Sequence, residues 1–360
     1  MRAFRGIMLT GLVLAMLFCG FVVLVLAGLE TGFAAFGLAL VLAVLPVPIY
    51  LGLVLFIDRY EPEPLRMVVL TFLWGATIAA FAAVVLNTVG EAVVSEELGT
   101  EAAEIYGYSI SAPIVEESAK GLALFGLFWF FRSEFNGVID GIVYAALVGL
   151  GFAMTENVLY YGRGAAEDGI VGAVGTFIAR GLLSPFAHPT FTAMTGIGLG
   201  VAAMTRSPAV RMLAPLAGLA AAIVLHSIWN TAAGSGLFLG AYVLVFIPVL
   251  IGIGVVVMLA LRREGRVIAR YLSGDLPDDE VRALSSLSAR RRRRREALRL
   301  GGRAARRAVA AVQHSAAELA FLRAQVTAGA VRWDHLTAAR ESALRAELAR
   351  RRSDLTALRG

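Results

Sequence analysis

Along most of the chain, apolar residues come in runs of about twenty, separated by short polar breaks. The runs fall at residues 7–28, 33–56, 66–90, 110–131, 138–160, 184–204, 211–232 and 237–261. About 20 mostly apolar residues are what a helix needs to cross the hydrocarbon of a bilayer. The pattern therefore predicts an all-α fold: a polytopic membrane helix bundle of about eight transmembrane helices. A shorter apolar piece, residues 170–183, reads as a re-entrant or interfacial helix. The first run follows Arg2 and Arg5 and is longer than the apolar core of a signal peptide, so it is expected to stay as a first span.

After residue 261 the pattern changes. Pro277 is followed by acids suited to a first helical turn. Then come six arginines, Arg290 to Arg295, and Ala, Leu and Arg at helical spacing, as in "AAELAFLRAQV". Two units are expected: a membrane domain, 1–261, and a basic helical tail, 262–360. The tail carries 23 Arg against 11 acids, whereas residues 1–261 carry 10 basic residues against 16 acids. This charge suits anionic lipid headgroups, at ~1 kcal/mol per basic residue near the surface. No aromatic interleaving or base-reading motif accompanies it, so no nucleic-acid partner is expected. Arg59, Arg66, Arg132, Arg206, Arg211, Arg262 and Arg263 lie in alternate loops; the other loops hold almost no basic residues, Arg163 being the clear exception, and "SEELGTEAAEIYGY" (95–108) is purely acidic. By the positive-inside rule both termini are expected to be cytoplasmic.

Composition agrees: 58% of residues are hydrophobic, the mean hydropathy is +0.74, and the one cysteine, Cys19, excludes a disulfide or a Cys-based metal site within the chain. Against this background a few ionisable residues stand out, since each costs at least ~2.5–3.5 kcal/mol inside a span. They are Glu116, Glu117 and Lys120 (the only lysine) in "APIVEESAKG", Glu156 beside Asn157, His188, and His226 with Asn230 one turn on. Arg180 is placed either against a cavity carboxylate or along the short apolar piece. Asp140 and Arg132 read as boundary residues. At 1.5 Å per residue, the two glutamates, Glu156, His188 and His226 fall in one layer, within roughly 10 Å of the outer surface. Four helices thus deliver their costly groups to one plane, which points to a shared polar cavity. Lys120 can neutralise one of the two glutamates at i,i+3 or i,i+4.

Carboxylates with two histidines suit water activation: a glutamate takes the proton, and the imidazoles or a metal they bind stabilise the oxyanion. Zn²⁺ held by two His and one Glu, with His188, His226 and Glu156 as candidates, would leave a position for water. A metal-free mechanism stays open. The other reading is a proton- or cation-coupled transporter using the same groups as a relay.

"EESAK", "FAMTEN", "AHPTFT", "HSIWN" and the loop "DRYEPEPLR" together resemble the PrsW family of intramembrane proteases, within the wider group of type II CAAX prenyl endopeptidases and bacterial immunity-type membrane proteases. The resemblance covers about residues 45–235. It implies an active site of Glu116, Glu117, Glu156, His188 and His226, with Asn230 supporting. Glu156 stands where the wider group often has a histidine, which changes any metal-ligand count. It also implies a membrane-anchored protein substrate, the best-known case being site-1 cleavage of an anti-sigma factor. The outward depth of the cavity agrees with a cut near the outer face.

Overall fold

The apolar runs fold as helices, several of them longer than the runs that predict them. The structure, a computed structural model, describes residues 2–132, 135–329, 331 and 333–357. Side chains of residues 2–8, 356 and 357 lie outside that description, so the side chains of Arg2 and Arg5 do too. The helices are α1 (Arg2–Thr31), α2 (Phe33–Val44), α3 (Val47–Leu55), α4 (Leu65–Trp74), α5 (Ala80–Leu98), α6 (Thr100–Tyr106), α7 (Ala112–Phe130), α8 (Val138–Thr176), α9 (Ala187–Met204), α10 (Pro208–Gly234), α11 (Phe238–Ala241) and α12 (Ile247–Leu272). The tail adds α13 (Asp278–Ser285), α14 (Leu287–Thr327) and α15 (His335–Ala357). Short π-helical segments join α4 to α5, α6 to α7 and α11 to α12, and follow α8 at Phe177–Leu183.

Among the described residues, six stretches are long and apolar enough to cross a membrane: Leu9–Thr31, Phe33–Leu55, Leu65–Leu98, Val138–Met204, Pro208–Gly234 and Phe238–Leu272. Leu14, Leu17, Phe18, Phe21, Leu213 and Leu216 stand exposed along them, as lipid-facing side chains would. Helix α7 is absent from this set because Glu116, Glu117 and Lys120 interrupt its apolar run. Val138–Met204 is not one rod but two antiparallel legs. Counting both legs and α7 recovers the eight rods read from the sequence.

The hairpin of α8 and α9 is the centre of the bundle. Its turn is at Asp168 and Gly169, where Gly169 takes φ +61°, a conformation that side chains with a Cβ avoid. From there the return leg descends against the rising leg: Gly172 meets Gly164, Arg180 bonds Asn157, Pro189 meets Gly149, and Gly196 meets Gly141. At the last crossing, a Cβ on either glycine would collide with the other's carbonyl. Small residues there let the two backbones touch, as membrane helices favour. Residues 170–183 are therefore not a separate re-entrant or interfacial helix, as the sequence suggested. They form the first part of the return leg, interrupted at 184–186 where Pro185 cannot supply a helical N–H.

The tail packs back onto the bundle. Helix α12 runs through residues 261 and 262 without a break. Tyr60, in the loop between α3 and α4, shares an apolar cluster with Ile268, Leu272, Leu284, Val312 and Phe321. Arg290, first of the six arginines, is buried: its Nη2 donates to the Tyr60 carbonyl at 2.7 Å and its Nη1 to the Leu284 carbonyl at 3.4 Å. Gln325 of α14 donates to Asn136 Oδ1 at 2.6 Å, and Asn136 in turn donates to Glu61 at 3.1 Å. Burial, reinforced by the charge of Asp140, pushes the carboxyls of Asp58 and Glu61 well above the usual range and that of Glu63 up to about 11.

Candidate active site

Helix α7 carries the charged face. Lys120 is fully buried, and its ammonium donates to Glu117 Oε1 at 2.8 Å and to Glu116 Oε2 at 3.3 Å. It therefore serves both carboxylates rather than one. The same ammonium lies 3.8 Å from the centre of the Phe152 ring, whose face attracts a cation. The Trp74 indole N–H donates to the Ala119 carbonyl at 2.9 Å, tying α7 to α4.

The hairpin supplies the next groups from both legs. Thr192 donates to Glu117 Oε2 at 2.9 Å. His188 Nδ1 lies 3.0 Å from Lys120 Nζ, and its Nε2 lies 2.8 Å from Glu156 Oε2. Because the ammonium can only donate, Nδ1 accepts and Nε2–H donates to Glu156, which fixes the neutral tautomer. Arg180 pairs with Glu156 through Nη2, donates to Asn157 from Nε at 2.9 Å, and lies over the Tyr160 ring. Asn157 thus holds Arg180.

His226 of α10 closes the network. Its Nδ1 is 3.1 Å from Glu117 Oε1, which leaves Nε2 turned toward Glu116 Oε2, 3.8 Å away. Phe191 stacks on the His226 ring with centroids 4.9 Å apart, and the two imidazoles meet edge-on at 5.1 Å. Ser227 and Thr231 of α10 bond Ser109, so the π-helical entry to α7 is pinned to the helix that carries His226. Asn230 is half-buried one turn beyond His226 and makes no hydrogen bond to it among the described residues.

The five principal residues read from the sequence are thus brought together. Among the described residues, one group could hold a metal ion: Glu116, His188 and His226, each offering a ligand atom, with those atoms within 4.8 Å of one another and all three residues buried. Two imidazoles and a carboxylate are a donor set that Zn²⁺ accepts. Glu117, bonded to His226 through Nδ1, would orient that ligand from behind. Glu156, which the sequence reading placed with the two histidines, is instead held by Arg180 and by the His188 Nε2–H. The residues fit a metal on one condition, that the Lys120 ammonium withdraw from His188 Nδ1.

The sequence profile of the PrsW family intramembrane metalloproteases matches residues 63–253, over half the chain and every residue of this network. The chain belongs to the PrsW family. Relatives named Protease PrsW come from Geobacillus kaustophilus (35% identical over 147 residues, 40% of this chain and 58% of that one), Bacillus subtilis (31% over 145 residues, 40% and 60%) and Halalkalibacterium halodurans (30% over 175 residues, 48% and 73%). The chain spans about three fifths of the length of the first two. No solved structure matches it significantly. Within this PrsW family member, sequence reasoning missed Thr192 and Phe152. A hydroxyl and a ring on apolar helices carry no signal of their own until the hairpin brings them against Glu117 and Lys120.

Proposed function

We propose that this chain is an intramembrane endopeptidase that hydrolyses a peptide bond of a membrane-anchored protein near its extracytoplasmic boundary, with anti-sigma-factor cleavage at the first site as the specific form. The observation that carries this reading is the buried network itself. Two carboxylates, an ammonium and two imidazoles from separate elements converge at one end of an otherwise apolar bundle. Groups this costly in such surroundings are kept for a task. Basic residues of alternate loops gather at the other end, beside the tail, which supports an outward-facing site.

Each residue has a role that follows from its contacts. Glu117 is saturated by Lys120, Thr192 and His226, so it acts as the fixed anion that orders them. Glu116 has looser contacts and is the carboxylate suited to take a proton from water. His226 Nε2, unprotonated while Nδ1–H donates to Glu117, can take that proton from Glu116 and pass it to the leaving amine. Lys120 offsets negative charge as it builds up on the substrate oxygen. Arg180, through Glu156, holds His188 in one tautomer. Where Zn²⁺ is bound, Glu116, His188 and His226 would hold it in place of the proton-transfer roles of Glu116 and His226, and it would lower the pKa of its water to about 7 and polarise the scissile carbonyl.

Purified protein should cut a single-span peptide carrying an extracytoplasmic juxtamembrane segment. Elemental analysis should find about one zinc per chain, lost in His188→Ala/His226→Ala together with cleavage. An active enzyme without metal would overturn the zinc assignment, and full cleavage by the double variant would overturn the site. Thr192→Val removes a bond to a charged group, of about 1.5–3 kcal/mol. It is expected to lower kcat about 10- to 100-fold with KM nearly unchanged, and Thr192→Ser to restore most of the rate.

A further inference from the structure

The six-arginine segment belongs to an arm at the end of the bundle where the tail docks. Helix α14 is not one rod. It breaks at Gly301 and Gly302, where Gly302 takes φ +65°, and the chain returns antiparallel to itself. Arg294 of the first leg donates to Gln313 Oε1 of the second at 2.6 Å, Gln313 donates back to the Arg290 carbonyl at 3.2 Å, and Ala297 shares an apolar cluster with Ala305 and Val309. The second leg is tied to two loops at the same end of the bundle: Gln325 bonds Asn136, and Gln313 reaches Tyr60 through Arg290. It therefore lies across that end. On the same line the two legs carry on past Tyr60, and residues 291–300 extend about 14 Å at 1.5 Å per residue.

Arg59 marks where the arm leaves the bundle. It follows α3, which completes the apolar stretch Phe33–Leu55, and its guanidinium lies 3.9 Å from the centre of the Phe56 ring. Burial, and then the charge of Arg291 close by, hold Arg59 below the usual guanidinium range. Two cations thus stand together at the end of a membrane-crossing segment. From there Arg291, Arg295, Leu298 and Arg299 follow at i, i+4, i+7 and i+8, on one exposed face of the first leg. Among the described residues no ion pair engages Arg59, Arg291, Arg295 or Arg299. Residues 291–307 hold nine arginines and one acid, Glu296. At the tip, Leu300 is 82% exposed.

We propose that this arm docks on the membrane surface beside the bundle, with Arg291, Arg295 and Arg299 binding the phosphates of anionic lipids, Arg59 sharing the first of them, and Leu300 reaching the acyl boundary. Two observations select lipid as the partner. The arginine face begins at the end of a membrane-crossing segment, where headgroups are already at hand, and a phosphate set between Arg59 and Arg291 would turn their repulsion into two charge-assisted contacts. Exposed leucines beside arginines suit an interfacial helix, which buries its apolar side chains among acyl chains. A nucleic acid would want rings to stack on, and residues 291–307 contain none. The proposal does not depend on the hydrolytic reading.

The test uses the full chain in an uncharged detergent, with an environment-sensitive dye on Ala304→Cys in a Cys19→Ser background, titrated with phosphatidylglycerol. Dye emission should shift to the blue saturably, and phosphatidylcholine should leave it unchanged. Arg291→Gln/Arg295→Gln/Arg299→Gln, three exposed positions, should raise the half-effect concentration at least about tenfold, as expected when three cations leave a lipid-facing surface. Arg340→Gln/Arg345→Gln/Arg350→Gln removes the same charge from α15 and should respond as the parent does. No shift with phosphatidylglycerol, or an equal shift with phosphatidylcholine, overturns the proposal. Equal losses in the two triple variants also overturn it, since attraction to net charge alone would then suffice. A shift with inorganic phosphate or a homopolymeric RNA at the same phosphate concentration, and none with the lipid, assigns the face to another anion and overturns it as well.

Discussion

Glu117→Gln is expected to lower peptide cleavage about 10²- to 10⁴-fold, since losing the carboxylate that orients a catalytic histidine can cost about 10⁴ in kcat. The carboxylate is fully buried and accepts from Lys120, Thr192 and the His226 ring. Three donors point at two oxygens. An amide can keep its oxygen toward Lys120 and His226, but its NH₂ then faces Thr192, whose hydroxyl has to accept where it had donated. The removed charge also leaves Lys120 with Glu116 alone at 3.3 Å. Single-turnover cleavage of a transmembrane peptide, beside a melting curve for the same sample, separates the chemical loss from unfolding. Wild-type turnover in a folded Glu117→Gln protein would remove Glu117 from the mechanism.

Lys120→Met should have the largest effect on stability. Both partners of its closest pair have side chains with no exposure. Removing one member of such a pair leaves an uncompensated charge in the interior and typically costs about 3–5 kcal/mol. Here two carboxylates lose their cation together, and the Phe152 face loses the charge above it. Glu117→Gln/Lys120→Met should regain part of that loss, because the double change removes both halves of the pair. A double-mutant cycle in detergent measures the recovery. Additivity within about 0.5 kcal/mol would show that the two side chains do not depend on one another.

Much of the bundle and the site could be read from the sequence, for a plain reason. In lipid, a run of apolar residues sets a helix's length, and a polar residue within it has to meet another. Glu116, Glu117, Lys120, His188 and His226 were legible because each is costly and all fall at one depth. The course of residues 170–183 was harder. The Asp168–Gly169 pair is a turn signal, but whether the chain after it lies in the interface or packs against α8 depends on Gly164, Gly172 and the Arg180–Glu156 pair, which are tertiary facts. The burial of Arg290 was hidden by its setting. Six consecutive arginines look alike in sequence, and one differs only because Tyr60 offers it a carbonyl. Thr192 is hidden for the opposite reason, since threonine is tolerated in any apolar helix.

The direction of synthesis gives the i,i+3 spacing of Glu117 and Lys120 a further meaning. Helix α7 leaves the ribosome before the hairpin and before α10, so its carboxylates must enter the translocon without Thr192, His188 or His226. The lysine travels on the same helix, within reach from the moment the first turns form. Part of the insertion penalty is therefore met locally, and the later helices need only complete a neutralisation already begun.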